Sequence, residues 1–187
     1  MTRNRKVIIV TDGDKIAQKA VETASKRIGG RCISQSAGNP TPISGKNIIR
    51  LIKESKHDPV VLMVDDKGNK TAGAGELVIE EIYNDKGIDI LGVIAVASNT
   101  NHVHGTLVDF SIDNTGNIVN KGVDKDGKSN NKKLLIGDTV DILNHLDIYP
   151  IIGIGDPGKM DGKDDWQNGA PILTKAMKKI LECNNKG

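Results

Sequence analysis

The chain has 187 residues, with 26 lysines and arginines against 24 aspartates and glutamates and a formal charge of +2. A balance that close gives no strong overall field to draw in nucleic acid or an acidic membrane. Tyr83, Phe110, Tyr149 and Trp166 are also too few rings for a platform that stacks bases, so no nucleic-acid partner is expected.

In chain order, the basic start is followed by only four apolar residues before Thr11 and Asp12, too few for a signal peptide. No later run reaches membrane-spanning length, so any membrane role is expected to be peripheral. Residues 6–11, KVIIVT, read as a strand, and Asp12-Gly13-Asp14 leads into a helix with Ile16, Ala20, Ala24 and Ile28 on one face. Gly29-Gly30 closes that helix, and RCISQS at 31–36 reads as a second short strand. The prolines of AGNPTPIS at 37–44 bar regular pairing, after which Ser44 caps a helix carrying Ile48, Ile49, Leu51 and Ile52. Lys56 to Pro59 stops it. A third strand, VVLMV at 60–64, ends on Asp65 and Asp66, and a helix over about 75–85 leads to a strand at 90–98.

From about residue 105 the pattern changes. TLVDFSID, NTGN and IVNKGVD read as an antiparallel hairpin with Gly116 in its turn, an excursion over about 105–133 on the sheet edge. A helix is expected at about 137–146, a strand in YPIIGIGD at 149–156, and a last helix over about 170–183 packing Ile172, Leu173, Ala176 and Ile180. Continuous apolar strands separated by helices predict one α/β domain over residues 1–187. Its form is a three-layer sandwich with a mainly parallel sheet, Rossmann-like or toprim-like. Cys32 and Cys183, far apart and without a CxxC spacing, fit two reduced thiols and a cytoplasmic setting.

Parallel strands share a carboxyl edge, and open α/β sheets bind ligands outside it. This sequence loads that edge with oxygen. Thr11 to Asp14, Gln35-Ser36, Asp65-Asp66, Ser98-Asn99 and Asp156 each stand at the end of an expected strand. Clustered carboxylates repel one another unless a cation sits among them, and hard divalent cations prefer such donors. Asp12, Asp14, Asp65 and Asp66 are therefore candidate ligands for magnesium or calcium. Ser36, Asn39, Ser98, Asn99 and Asp156 are candidates for contact with a bound molecule.

Plainer readings attach to the same residues. Asp14 is placed to cap the first helix, and the other aspartates suit turns. GAGE at 73–76 reads as a glycine hinge, because Glu76 repels an anion and no P-loop lysine follows. VDKDGK at 123–128 lacks the closing Glu of a calcium loop and reads as a hairpin tip. His102 and His104 sit in a polar loop without a clear third ligand, and Ser36 has no nucleophile-elbow context.

Seven irregular strings carry a resemblance over nearly the whole chain: GGRCISQSAGNPTPISG, DPVVLMVDDKG, GVIAVASNT, GVDKDG, GDTVDIL, IIGIGDPGKMDGKDD and GAPI. They look like the stage V sporulation protein AE family, specifically its soluble member. The resemblance implies a place with the other stage V sporulation A proteins of endospore formers, some of them membrane-embedded. That set is implicated in moving dipicolinic acid with calcium into the spore and releasing it at germination. It also implies a peripheral position at the forespore or spore inner membrane, and it supplies no catalytic residue. A second similarity, of the strand ending in Asp12-Gly13 and of VVLMVDDKGNKTAGAGE, is to toprim domains, whose strand-end Glu and D-x-D pair hold magnesium for phosphoryl transfer. Here Thr11 or Asp12 stands for the Glu, and Lys67 stands where the second aspartate of the pair belongs. The preferred reading is a non-enzymatic accessory of calcium dipicolinate handling. The alternative is a magnesium-dependent toprim-type enzyme acting on nucleic acid.

Overall fold

Strands that are apolar on both sides need a layer of helices over each face, and the chain supplies two helices per face. The structure, a computed structural model, describes residues 3–68, 73–101 and 103–185. The chain runs β1 (Arg5–Val10), α1 (Lys15–Arg27), β2 (Arg31–Cys32), α2 (Gly45–Glu54), β3 (Val60–Met63), α3 (Ala74–Tyr83) and β4 (Ile88–Val96). It continues through β5 (Thr106–Leu107), β6 (Phe110–Ile112), β7 (Ile118–Val119), β8 (Leu134–Leu135), β9 (Ile151–Ile154) and α4 (Pro171–Asn184).

The main sheet has the order β2-β3-β1-β4-β9-β6-β7, parallel throughout except for the terminal β6-β7 pair. Alternation along β1 sends Val7 and Ile9 into a core with Ile48 and Ile52 of α2 and Val78 and Ile82 of α3. Ile8 and Val10 face the opposite core, built from Ala17, Ala20 and Ala24 of α1 and Ile172, Ala176 and Ile180 of α4. Because every parallel strand points the same way, the residues following β1, β3, β4 and β9 arrive at one edge.

Several local expectations need correction. The buried stripe of α1 is Ala17, Ala20, Val21 and Ala24, while Ile16 is left 55% exposed. Small side chains let this helix lie close to the sheet and to α4, and that sets its rotation. The second strand ends at Cys32, and Ser34–Ser36 curls into a 3-10 turn. There the buried Ser36 hydroxyl donates to Ile33 O at 2.7 Å and accepts from Met63 N at 2.9 Å, replacing a ladder bond. No α-helix forms at 137–146. A 3-10 turn, Asp141–His145, stands in its place, because Thr139 takes φ 60° and Asp141 accepts from His104 N and Gly105 N. The 105–133 segment does place the expected antiparallel hairpin, β6-β7, on the sheet edge, and it adds two pairings the pattern did not show: β6 runs parallel beside β9, and β5 pairs with β8 in a small second sheet. Gly116 does turn the β6-β7 hairpin, at φ 82°.

Aspartates cap three of the helices. Asp14 Oδ1 accepts from Ile16 N and Ala17 N, both at 2.8 Å, at the start of α1. Asp66 Oδ1 accepts from Gly75 N at 2.6 Å and Glu76 N at 3.2 Å, capping α3 from the preceding strand end. The fully buried Asp164 serves α4 through Ile172 N at 2.7 Å and Leu173 N at 3.2 Å. Asp164→Ala strands those two N–H groups in the interior and is expected to lower stability by about 2 kcal/mol in a denaturant melt. An unchanged midpoint would contradict the cap.

Candidate functional site

The turn after β1 is fixed by close contact. Asp12 Oδ1 accepts from Gly13 N at 2.7 Å and Asp14 N at 3.2 Å, folding the turn onto its own carboxylate. Gly13 packs so tightly that a Cβ there would collide with the Gly38 carbonyl oxygen and stand 2.8 Å from Asp65 Cβ. Thr41 pins the same neighbouring loop to the end of β3: its hydroxyl accepts from Asp65 N at 2.8 Å and its N–H donates to Asp65 O at 2.9 Å. On the other side, Thr11 Oγ1 accepts from Val96 N at 3.0 Å and ties β1 to β4.

Within this frame Asp12, Asp14 and Asp156 each bring a carboxylate oxygen within 4.8 Å of the others. Burial first, then Asp14, Asp156 and Asp65, push the Asp12 carboxyl up to about 8, against the opposing hydrogen bond from Asp14 N. Asp156 is also raised, by burial and by Asp14, while Lys159 and Lys125 oppose the shift. Three carboxylates with one held protonated at neutral pH are an oxygen-only donor set, and that suits calcium or magnesium in preference to a softer metal.

Asp65 and Asp66 form a neighbouring group. Asp65 is raised to about 6 by burial and by Asp138, Asp66 and Asp14, with its Oδ1 accepting from Lys67 N at 2.7 Å. Asp138, which the sequence did not single out, accepts from Gly68 N at 2.9 Å and is itself raised by burial and Asp66. Asp66 is directed at α3, so one of its oxygens is already engaged. Lys67 is exposed and, among the described residues, forms no ion pair. The acids therefore divide into two groups, with Asp156 joining Asp12 and Asp14 while the Asp65-Asp66 pair stays with Asp138.

The remaining candidates are scattered. Ser36 is buried with its hydroxyl bonded to backbone, and Asn39 is exposed on the loop beside Gly13. Ser98 and Asn99 line a cavity of about 560 Å³ together with Asn101, Lys125, Asn130 and Ile136. This cavity adjoins the carboxylates, because Asp156 N donates to Lys125 O at 2.9 Å. Another cavity, of about 440 Å³, runs along β2 past Arg31, Leu51 and His57, away from Asp12, Asp14, Asp156, Asp65, Asp66 and Asp138. Cys32 and Cys183 are free thiols, and VDKDGK is a turn in which Asp124 Oδ1 accepts from Asp126 N and Lys128 N. His104 is exposed beside Asp141 at 3.4 Å, and His102 lies outside the described residues.

The fold class is thus an open, mainly parallel α/β sheet wrapped on both faces, with an acidic carboxyl edge. The sequence matches the family model of stage V sporulation protein AE1 over residues 6–184, and the chain belongs to that family. Membership gives it a sporulation-related role. No curated protein and no solved structure matches the chain at a significant level. Among the described residues no helix is long and apolar enough to cross a membrane.

Proposed function

We propose that this protein is a non-enzymatic accessory of the stage V sporulation A set that binds calcium, and calcium dipicolinate, at the acidic edge of its sheet. It works at the forespore or spore inner membrane beside membrane-embedded partners. The observation that carries the reading is the convergence of Asp12, Asp14 and Asp156 within 4.8 Å, with Asp12 pushed up to about 8. A bound divalent cation supplies the positive charge this cluster lacks. Asp12 and Asp156 present carboxylate oxygens, Asp14 joins them while still capping α1, and the backbone N–H groups of Gly13 and Gly158 hold the two carboxylates in orientation. The adjoining cavity offers the Asn99 and Asn101 amides, with Lys125 at its wall held by Asp126 at 3.0 Å, and those amides complement the carboxylates of an organic chelator. Family membership supports the sporulation role, and the acid geometry supports the ion.

Asp12 must lose its proton for a cation to bind, so affinity rises with pH up to about 8 and uptake at pH 7 releases about one proton per ion. Isothermal titration of calcium in two buffers of different ionisation enthalpy, with and without dipicolinate, measures both. Expected are heat and a raised melting temperature at millimolar calcium, a weakening of at least about tenfold in Asp156→Asn, and tighter uptake with dipicolinate. No heat and no melting shift would remove the reading.

A further inference from the structure

The small β5–β8 sheet carries its side chains in an unusual sense. Thr106 and Leu135, paired across it, are 1% and 0% exposed and face the core. Leu107 pairs with Leu134 on the outer face, and alternation places Ile136 there too, so that Leu107 is 65% exposed and Ile136 37%. A solvent-facing sheet surface ordinarily carries polar residues. This one is aliphatic, and Lys132 and Lys133 lead into it.

Residues 121 to 133 hold five lysines against two aspartates, a local excess that the nearly balanced chain as a whole conceals. Lys125 is matched to Asp126 at 3.0 Å, and Asp124 Oδ1 accepts from the N–H groups of Asp126 and Lys128. Lys121, Lys128, Lys132 and Lys133 are exposed and, among the described residues, enter no ion pair. Lys132 and Lys133 lead directly into β8, and Gly122 N donates to Lys132 O at 2.7 Å, bringing the chain at Lys121 alongside.

We infer that the outer face of the β5–β8 sheet docks on an anionic lipid surface, with Leu107, Leu134 and Ile136 entering the headgroup boundary and Lys121, Lys132 and Lys133 meeting lipid phosphates. The composition selects lipid over protein. Protein interfaces favour aromatic residues and arginine and are poor in lysine, whereas this surface pairs lysine with aliphatic side chains, and no arginine follows Arg50 in the chain. Lysines around aliphatic side chains suit a negatively charged bilayer, where the ammonium groups stay in water and the alkyl groups reach the acyl boundary. Ile136 also lines the Asn99 and Lys125 cavity, so docking brings the mouth of that cavity to the membrane. The inference specifies a face and a chemistry for the peripheral position proposed above and does not depend on calcium binding.

Co-sedimentation of the full chain with vesicles tests it. Binding is expected to vesicles mixing phosphatidylglycerol with phosphatidylcholine, to be absent for phosphatidylcholine alone, and to fall steeply as salt rises from about 0.1 M to about 0.5 M. Lys132→Glu with Lys133→Glu is expected to weaken binding at least about tenfold, from a loss of about fivefold per lysine charge removed. Leu107→Ser with Ile136→Ser is expected to weaken it about as much; the lysine variant should melt like the parent because its side chains are exposed, and Leu107→Ser alone, at a side chain 65% exposed, should also melt like the parent and still weaken binding. No binding to phosphatidylglycerol overturns the inference, and so does binding indifferent to Leu107→Ser with Ile136→Ser. A dimer in ultracentrifugation that this apolar variant dissolves would make a second copy the occupant and overturn it as well. A chain that binds vesicles but not calcium keeps this inference and loses the crevice reading.

Discussion

Asp12→Asn is expected to abolish calcium uptake while making the ion-free protein more stable. The asparagine oxygen can still accept from Gly13 N and Asp14 N, so the turn is retained. What disappears is a carboxyl whose folded value of about 8 lies well above its ordinary value of 3.8. A raised acid favours folding only while protonated. Between about pH 4 and pH 8 the unfolded chain gives up this proton and the native one keeps it, so native stability falls as pH rises through that window. Removing the group should flatten that slope and stabilise the ion-free protein at pH 7 by on the order of 2 kcal/mol, several degrees in melting temperature. Thermal melts across pH 4 to 8, with and without calcium, measure both effects. A variant that melts lower than the parent without ion, or still gains stability from calcium, would show that Asp12 is not the strained ligand described.

Gly13→Ala should be the most damaging single-methyl change at the edge. The added Cβ would meet the Gly38 carbonyl and Asp65 Cβ, and neither is the movable end of a long side chain. Either β1 shifts, taking Asp12 with it, or the 37–43 loop lifts from β3 and breaks the Thr41 bonds to Asp65. The expected loss is about 3 kcal/mol in a denaturant melt, together with the cation response. Gly158→Ala is the matched control, because its Cβ would find Asp156 Oδ1 at 3.3 Å and the flexible Ile16 side chain at 3.5 Å, and it should stay within about 1 kcal/mol of the parent. Equal stabilities for the two variants would mean that the three segments do not meet as described.

The large elements were legible because their signal is local. VIIV, VVLM and IIGI can only be strands buried on both faces, and Ile48 and Ile52 mark their helix plainly. Features set by distant partners were not. The rotation of α1 depends on how closely alanines can approach α4, and the fate of residues 137–146 depends on Asp141 being drawn to the N–H groups of His104 and Gly105. The short β6 reads as a hairpin arm because alternation with its neighbour is visible, whereas its parallel partner β9 lies some forty residues on.

The same distinction runs through the acidic edge. That β1, β3 and β9 would each end on aspartate could be read directly, and parallel topology brings those ends together. Which acids share a group could not be read, since it turns on side-chain direction. Asp66 faces back to cap α3, and Asp156 faces Asp12 because its turn is closed by Gly158 N at 2.8 Å. Asp138 carried one faint signal, an aspartate in a Gly-Asp-Thr turn. The cavity beside the acids draws on Asn99 after β4 and on Lys125 and Asn130 between β7 and β8, two loops that no spacing rule connects.

Location of the ion tests the account most directly. Crystals grown with terbium, a strongly scattering stand-in for calcium, should give one dominant anomalous peak about 2.4 Å from carboxylate oxygens of Asp12, Asp14 and Asp156, absent in Asp12→Asn. A peak among Asp65, Asp66 and Asp138 instead, or none at saturating terbium, would contradict it.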